Sequence, residues 1–195
     1  VLPALRAVRP GLPQGRTAIA IGIRDEDMAS VLPPLARLMD GLAARGLADR
    51  FALWILSDTP AGAAATAEEA AIRAFATGRT DTNYRRRAAN EGFKAGNVMD
   101  FLDRHAEGLD HLLCLDADSA MTPDAVLRLV AVLEADPRLA IVQQLIHGRP
   151  AGAAFPRLFQ FGMRQGMRTW ATGQAWWQGD EGPYWGHTAV IRIGP

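Results

Sequence analysis

Three observations predict a doubly wound α/β domain on a largely parallel sheet. Apolar runs without polar alternation, "TAIAIGI" (17–23), "FALWILSD" (51–58) and "HLLCLD" (111–116), recur along the chain, as strands buried on both faces require. Helix-spaced segments separate them, and alternation of strand and helix leads to parallel strands with right-handed crossovers. The runs are followed by "RDED", "SDT" and "DADS", and in such sheets ligands gather beyond the carboxyl ends of the strands. Three acidic strand ends on one rim suit something cationic, or hydroxyls and ring N–H groups.

Each element has its own warrant. Residues 1–16 carry three prolines and two glycines and read as an extended leader, leaving 17–195 as the domain. Leu32, Leu35, Leu38, Met39 and Leu42 are spaced for a helix over 28–46 that stops at Gly46, with Pro33 and Pro34 expected in its first turn. The alanine-rich stretch 63–76 is a second helix. "TDTNYRRRAANEGFKAGN" predicts a short strand and a loop, then a helix over 97–107. Thr122 and Pro123 mark the cap and first position of another helix, running to about Asp136. "LAIVQQ" (139–144) and "TAVIRI" (188–193) are strands, and the apolar residues of 155–171 recur at helical spacing.

Composition narrows the function. Twenty-one basic residues balance twenty-one acidic ones, so no global positive field points to nucleic acid. No apolar run approaches the ~18–20 residues of a membrane span. The lone Cys114 excludes internal disulfides, fits a reducing compartment and reads as a small core residue. There is no GxGxxG, P-loop, HExxH, CxxC or GxSxG pattern, and four scattered histidines make no zinc site. A start at Val1 without a signal pattern, and an end just after a strand, read as a piece of a longer polypeptide.

Three stretches can carry chemistry. In "LDADS", Asp116 and Asp118 share a side if the strand continues through them, and two carboxylates suit a divalent cation bridging to a diphosphate. The same pair serves equally as a strand end capping the next helix. In "YRRRAANEGFKAGN" the three arginines read as a solvated face, whereas Lys94-Ala-Gly-Asn reads as a compact turn lifting an ammonium to the rim. "WWQGDEGPYWGH" is either core packing or an aromatic platform for sugar rings, and His187 either contacts substrate or is structural. A nucleophilic aspartate of the haloacid-dehalogenase type fits less well, because Ala120 stands at the fifth position of that motif.

"ILSDT", "YRRRAANEGFKAGNVMDF", "LCLDADSAMT", "IVQQ" and "YWGHTAVIR", in this order, resemble the processive family 2 glycosyltransferases. Cellulose synthase is a relative, and the similarity is strongest to the branch making osmoregulated periplasmic glucans. It runs from Arg16 to Ile193. The resemblance implies a GT-A fold (Rossmann-like, with a mostly parallel sheet), a donor UDP-glucose, a glucan acceptor, and Mg2+ or Mn2+. It implies inverting transfer by a protein anchored at the cytoplasmic face of the bacterial inner membrane through segments outside this chain.

By the same resemblance, Glu26 sits beside the nucleoside and Asp58 reads the uracil ring. Lys94 and Asn97 line the donor pocket near the diphosphate, Asp116 contacts ribose and metal, and Asp118 is the main metal ligand. Trp185, Gly186 and His187 line the donor-sugar and acceptor pocket. Two positions depart from the pattern: "GIRDE" replaces Pro-x-x-Asn-Glu, and Thr188 replaces the asparagine of "GHNA". The family's catalytic base and arginine-tryptophan clamp belong beyond Pro195, so the resemblance implies a donor-binding part that is inactive alone. The competing class is a nucleotide-binding regulatory module; a sugar-nucleotide pyrophosphorylase lacks its glycine-rich, basic first loop here.

Overall fold

The computed structural model describes residues 8, 11–148, 150, 152–179 and 181–194. Most of the leader expected over 1–16 therefore lies outside the described residues. The chain forms six strands: β1 (Thr17–Ile23), β2 (Phe51–Ser57), β3 (Thr82–Arg86), β4 (His111–Asp116), β5 (Ile141–Gln143) and β6 (Ala189–Arg192). Five helices connect them: α1 (Met28–Ala43), α2 (Ala63–Ala76), α3 (Phe93–His105), α4 (Pro123–Ala135) and α5 (Ala154–Gln178). The strands form one sheet in the order β3-β2-β1-β4-β6-β5. The first four run parallel, whereas β6 is antiparallel to both β4 and β5.

The apolar runs become the sheet's centre because they have a covered face on each side. Ile19, Ile21, Leu53, Ile55, Leu113 and Leu115 point into the larger core, against α1, α4 and Ile72 of α2. Ala18, Ala20, Leu112 and Cys114 point the other way, against Phe101 of α3. Phe101 is fully buried and packs on Trp54 at a ring separation of 5.0 Å; burying a side chain of that class is worth about 1.5–3 kcal/mol. The small residues of β1 on this side leave room for the aromatic pair.

Strand order reverses between β1 and β4, which makes their carboxyl ends the switch point where α/β sheets open a crevice. The two strands are in register from Thr17↔His111 to Gly22↔Asp116. The loop after β1 therefore faces the loop after β4.

Several boundaries differ from those expected. Pro33 and Pro34 lie in the second turn of α1, where they forfeit two backbone donors. The carbonyls so released belong to the exposed Ala29 and Ser30 and can be met by water. Helix α3 begins at Phe93, four residues early, because Gly92 and Phe93 take positive φ (68° and 51°) and turn the chain directly into it. Thr122 caps α4 as expected, its hydroxyl accepting from Ala125 N. Helix α5 extends to Gln178 and buries none of its described residues.

At the opposite end of β4, His111 is buried, and desolvation holds its imidazole below the ordinary 6.5, outweighing the opposing charges of Glu134 and Asp110. Arg192 adds to the depression. The unfolded chain then takes up a proton that the folded chain refuses. Stability is expected to be intact above pH 6.5 and to decline as pH falls below it. Denaturant midpoints across this range should show the slope for the native chain, and a smaller one for His111→Gln.

Candidate functional site

The rim is assembled from adjacent strand ends. Ser57 pairs with Arg86 in the β2–β3 register, so the next residues, Asp58 and Arg87, face each other. Arg87 donates from Nε to Asp58 Oδ1 (2.7 Å) and from Nη2 to Oδ2 (2.9 Å), with side chains only 10% and 6% exposed. Its remaining donors reach the carbonyls of Glu91 (2.9 Å) and Phe93 (3.1 Å). One guanidinium thus pairs a buried carboxylate and ties down the loop that leads into α3. The carboxylate holds the guanidinium pKa above its ordinary range.

The neighbouring arginines are also engaged. Arg85 pairs with Asp100 and donates to the carbonyl and side-chain oxygens of Asn97; Arg86 pairs with Glu69 at 3.1 Å. The expectation of a solvated arginine face is corrected: strand β3 aims alternate arginines at acidic partners on α3 and α2. Behind Asp58, the buried Glu68 accepts from Thr59 Oγ1 and from Tyr84 OH (2.9 Å). Burial and Glu68 push the Tyr84 phenol up to about 12. Thr59 Oγ1 in turn accepts from Asp25 N (2.9 Å), joining the loop after β1 to the end of β2.

Lys94 lies in the first turn of α3, not in the compact turn expected for "KAGN". Its ammonium donates to Asp116 Oδ1 and to the carbonyl of Gly186 (2.9 Å), and both charged side chains are half-buried. Gly22 in β1 lies beneath the lysine stem, where an added Cβ would sit 3.7 Å from Lys94 Cγ, an ordinary van der Waals contact. Gly96, by contrast, is required: its Cβ would lie 2.0 Å from the Glu91 carbonyl oxygen. The glycine of "KAGN" is what allows that loop to close over α3. Asn97 is buried, donating to Leu56 O (3.2 Å) and accepting from Arg85.

Asp116 ends β4, and the chain turns at once, Ser119 N donating to Asp116 O at 2.9 Å. Asp118 sits inside that turn. The strand alternation expected to align the two carboxylates is replaced by a reversal that brings both into one cleft. This cleft, of about 490 Å³, is lined by Asp116, Asp118, Ser119, Gln144, His147, His187 and Thr188 among others. It meets a second, mainly apolar cavity of about 450 Å³ lined by Ile146, Met167, Trp170, Trp185 and His187. Trp185 packs on Trp170 at 5.6 Å and donates from its backbone N–H to Gln143 Oε1 (3.0 Å). The site has an acidic half and an aromatic half, with Ile146 and His187 on both.

Of the residues singled out in the sequence, Asp116, Asp118 and His187 line the acidic half; Lys94 joins it through Asp116, and Gly186 through its carbonyl's bond from Lys94. Trp185 belongs to the aromatic half. Asp58 and Asn97 lie behind the rim with their polar groups engaged, and Glu26 is exposed on the loop joining β1 to α1. Arg87 and Gln143 were not singled out. A register argument finds the first, since a cation directly beyond the end of β3 must meet the anion beyond the end of β2. The aromatic cluster divides: Trp185 is partly covered, whereas Trp176 and Trp177 are exposed on α5 and line neither of these two cavities.

Asp25, Phe93 and Thr188 are the non-glycine residues with positive φ among those described: Asp25 and Thr188 stand on loops at this rim and Phe93 opens α3 there. Strained backbone at a ligand rim is common where neighbouring contacts hold it in place. Thr188 is buried and held by its N–H to Cys114 O (2.8 Å) and its carbonyl to Gln144 N (3.0 Å). A β-branched residue is the least comfortable choice there.

As potential metal ligands, two carboxylates from one turn are a sparse set, and no cluster of three or more His, Cys, Asp or Glu ligands occurs among the described residues. Such a pair fits a hard cation that takes its remaining oxygens from phosphate and water, as Mg2+ does.

The sheet is that of a GT-A fold, and the chain belongs to the family described as Glycosyl transferase family 2, whose pattern it matches over residues 31–195. Its curated relatives include the glucans biosynthesis glucosyltransferase H of Caulobacter vibrioides, 39% identical over 91% of this chain, and that of Xanthomonas euvesicatoria pv. vesicatoria, 37% identical over 98%. The chain spans 27% and 29% of the length of these two relatives. Among solved structures, a mannosyltransferase from Pyrobaculum calidifontis, in complex with GDP-Man and Mn2+, matches with a TM-score of 0.53 at 21% identity. That match covers 71% of this chain and 38% of the other. No helix among the described residues is long and apolar enough to cross a membrane.

Removing Arg87 leaves the Asp58 carboxylate buried without its partner, a change that typically costs about 3–5 kcal/mol. Arg87→Ala is expected to lose stability of that order in denaturant unfolding. The double variant with Asp58→Ala should recover part of it, because the stranded charge is then gone.

Proposed function

We propose that this chain is the donor-binding part of a glucosyltransferase that extends a glucan from UDP-glucose. The observation that carries the reading is the meeting of Asp116, Asp118 and Lys94 at the switch-point cleft, beside a cavity walled by tryptophan. Names of the curated relatives support the transferred sugar and the product. A Mn2+-bound family-like fold supports a divalent cation, either Mg2+ or Mn2+.

Asp118 and Asp116 would hold that cation, which when bound supplies positive charge for the departing diphosphate. Lys94 pairs with Asp116 and would offer a second cation to a leaving group that gains charge in the transition state. Each Asp58 oxygen accepts one bond from Arg87 and keeps capacity for a ring N–H of the nucleoside. Trp185 offers a face to the C–H side of a sugar, while His187, between the two cavities, can donate to a sugar hydroxyl.

Attack opposite the leaving diphosphate would invert the anomeric centre. The base that takes the proton from the acceptor is assigned to the part of the longer relatives that this chain does not span. In the whole protein, membrane segments outside this chain would place the domain at the cytoplasmic face of the bacterial inner membrane.

Calorimetric titration with UDP tests the reading. Mn2+ is expected to tighten UDP binding by at least about tenfold, a gain of about 1.4 kcal/mol. Asp118→Asn should abolish the gain, and Lys94→Ala should weaken binding with and without metal. Metal-independent affinity in the native chain would remove the role given to the two carboxylates. A preference for GDP over UDP would reassign the nucleoside.

A further inference from the structure

Helix α5 carries a surface that the nucleotide-sugar reading does not use. It is 25 residues long and none of its described residues is buried. Phe155, Leu158 and Phe161 stand in solvent, and Trp176 and Trp177 are 84% and 88% exposed. Apolar surface on this scale marks an interaction face.

The charge on α5 says what kind of surface would cover it. Arg157, Arg164 and Arg168 are spaced seven and four residues apart and so share one stripe of the helix. The helix contains no aspartate or glutamate, although the whole chain balances 21 acidic against 21 basic residues. None of these three guanidiniums enters an ion pair among the described residues. The helix is too polar to cross a membrane. Aromatic residues beside an unpaired arginine stripe are the features of a helix that lies in a membrane interface.

We propose that α5 rests on an anionic lipid surface. Phe155, Leu158, Phe161, Trp176 and Trp177 enter the acyl boundary, and the arginines extend along the flank to lipid phosphates. A second copy is a poorer occupant, because two-fold pairing through this face would set cationic stripes side by side with no acid on either helix. A bilayer supplies apolar depth and phosphate charge along the whole length of α5 at once.

Flotation of the 195-residue chain with phosphatidylcholine vesicles, with and without phosphatidylglycerol, tests this. Each arginine near an anionic surface contributes about fivefold, so the charged vesicles should be preferred by about 100-fold. Arg157→Gln, Arg164→Gln and Arg168→Gln together should remove most of that preference while circular dichroism stays unchanged. Trp176→Ser with Trp177→Ser should weaken binding to both vesicles and abolish a blue shift of tryptophan emission. Equal partition into neutral and charged vesicles, a preference that survives loss of the arginines, or dimers that hide α5 would each overturn the proposal.

Discussion

Parallel strands that end in carboxylates at one rim gather negative charge at a single edge of the sheet, and there the acids that follow β2 and end β4 are each met by a specific cation. Two pairs do this differently. Asp58–Arg87 is nearly dry, bidentate and tied to backbone carbonyls, so it fixes the loop leading into α3. Lys94–Asp116 is half exposed and rests on one ammonium. Surface pairs of that kind contribute about 0–1 kcal/mol, so a ligand can exchange them at little cost. The rim therefore combines a rigid anchor with a replaceable contact, an arrangement suited to binding an anion together with its cation.

The central architecture was legible in the sequence because β1, β2 and β4 are continuous apolar runs and the helices between them are periodic. The antiparallel course of β6 was not, since a four-residue strand carries no mark of direction. The early start of α3 was hidden for a different reason. It depends on positive φ at Gly92 and Phe93, and phenylalanine gives no hint of that conformation. Lys94 was recognisable by residue type, but its bonds to Asp116 and to the carbonyl of Gly186 join residues far apart in the chain and exist only once the sheet is assembled.

The candidate site shows the same division. Asp116, Asp118 and His187 were identifiable from their motifs and meet in one cleft. The means by which the carboxylates meet was not identifiable, because a turn closed by Ser119, not strand alternation, brings Asp118 back. The three arginines illustrate the limit of reading charge without register. Composition gives them to solvent, whereas the β2–β3 register brings Arg87 to Asp58, and the flanking helices bring Asp100 and Glu69 to Arg85 and Arg86. The tryptophans divide between the sugar-sized cavity and the outer face of α5, a distinction that the boundaries of a long amphipathic helix decide and local density does not.

Nuclear magnetic resonance of the isotopically labelled chain with UDP and substoichiometric Mn2+ is the most direct measurement. Paramagnetic broadening is expected to centre on the amides of 116–119 and to reach 186–188, with the far ends of β1 and β4 unaffected. Broadening centred elsewhere, or spread evenly over the acidic surface, would contradict a cation held at the switch point by Asp116 and Asp118.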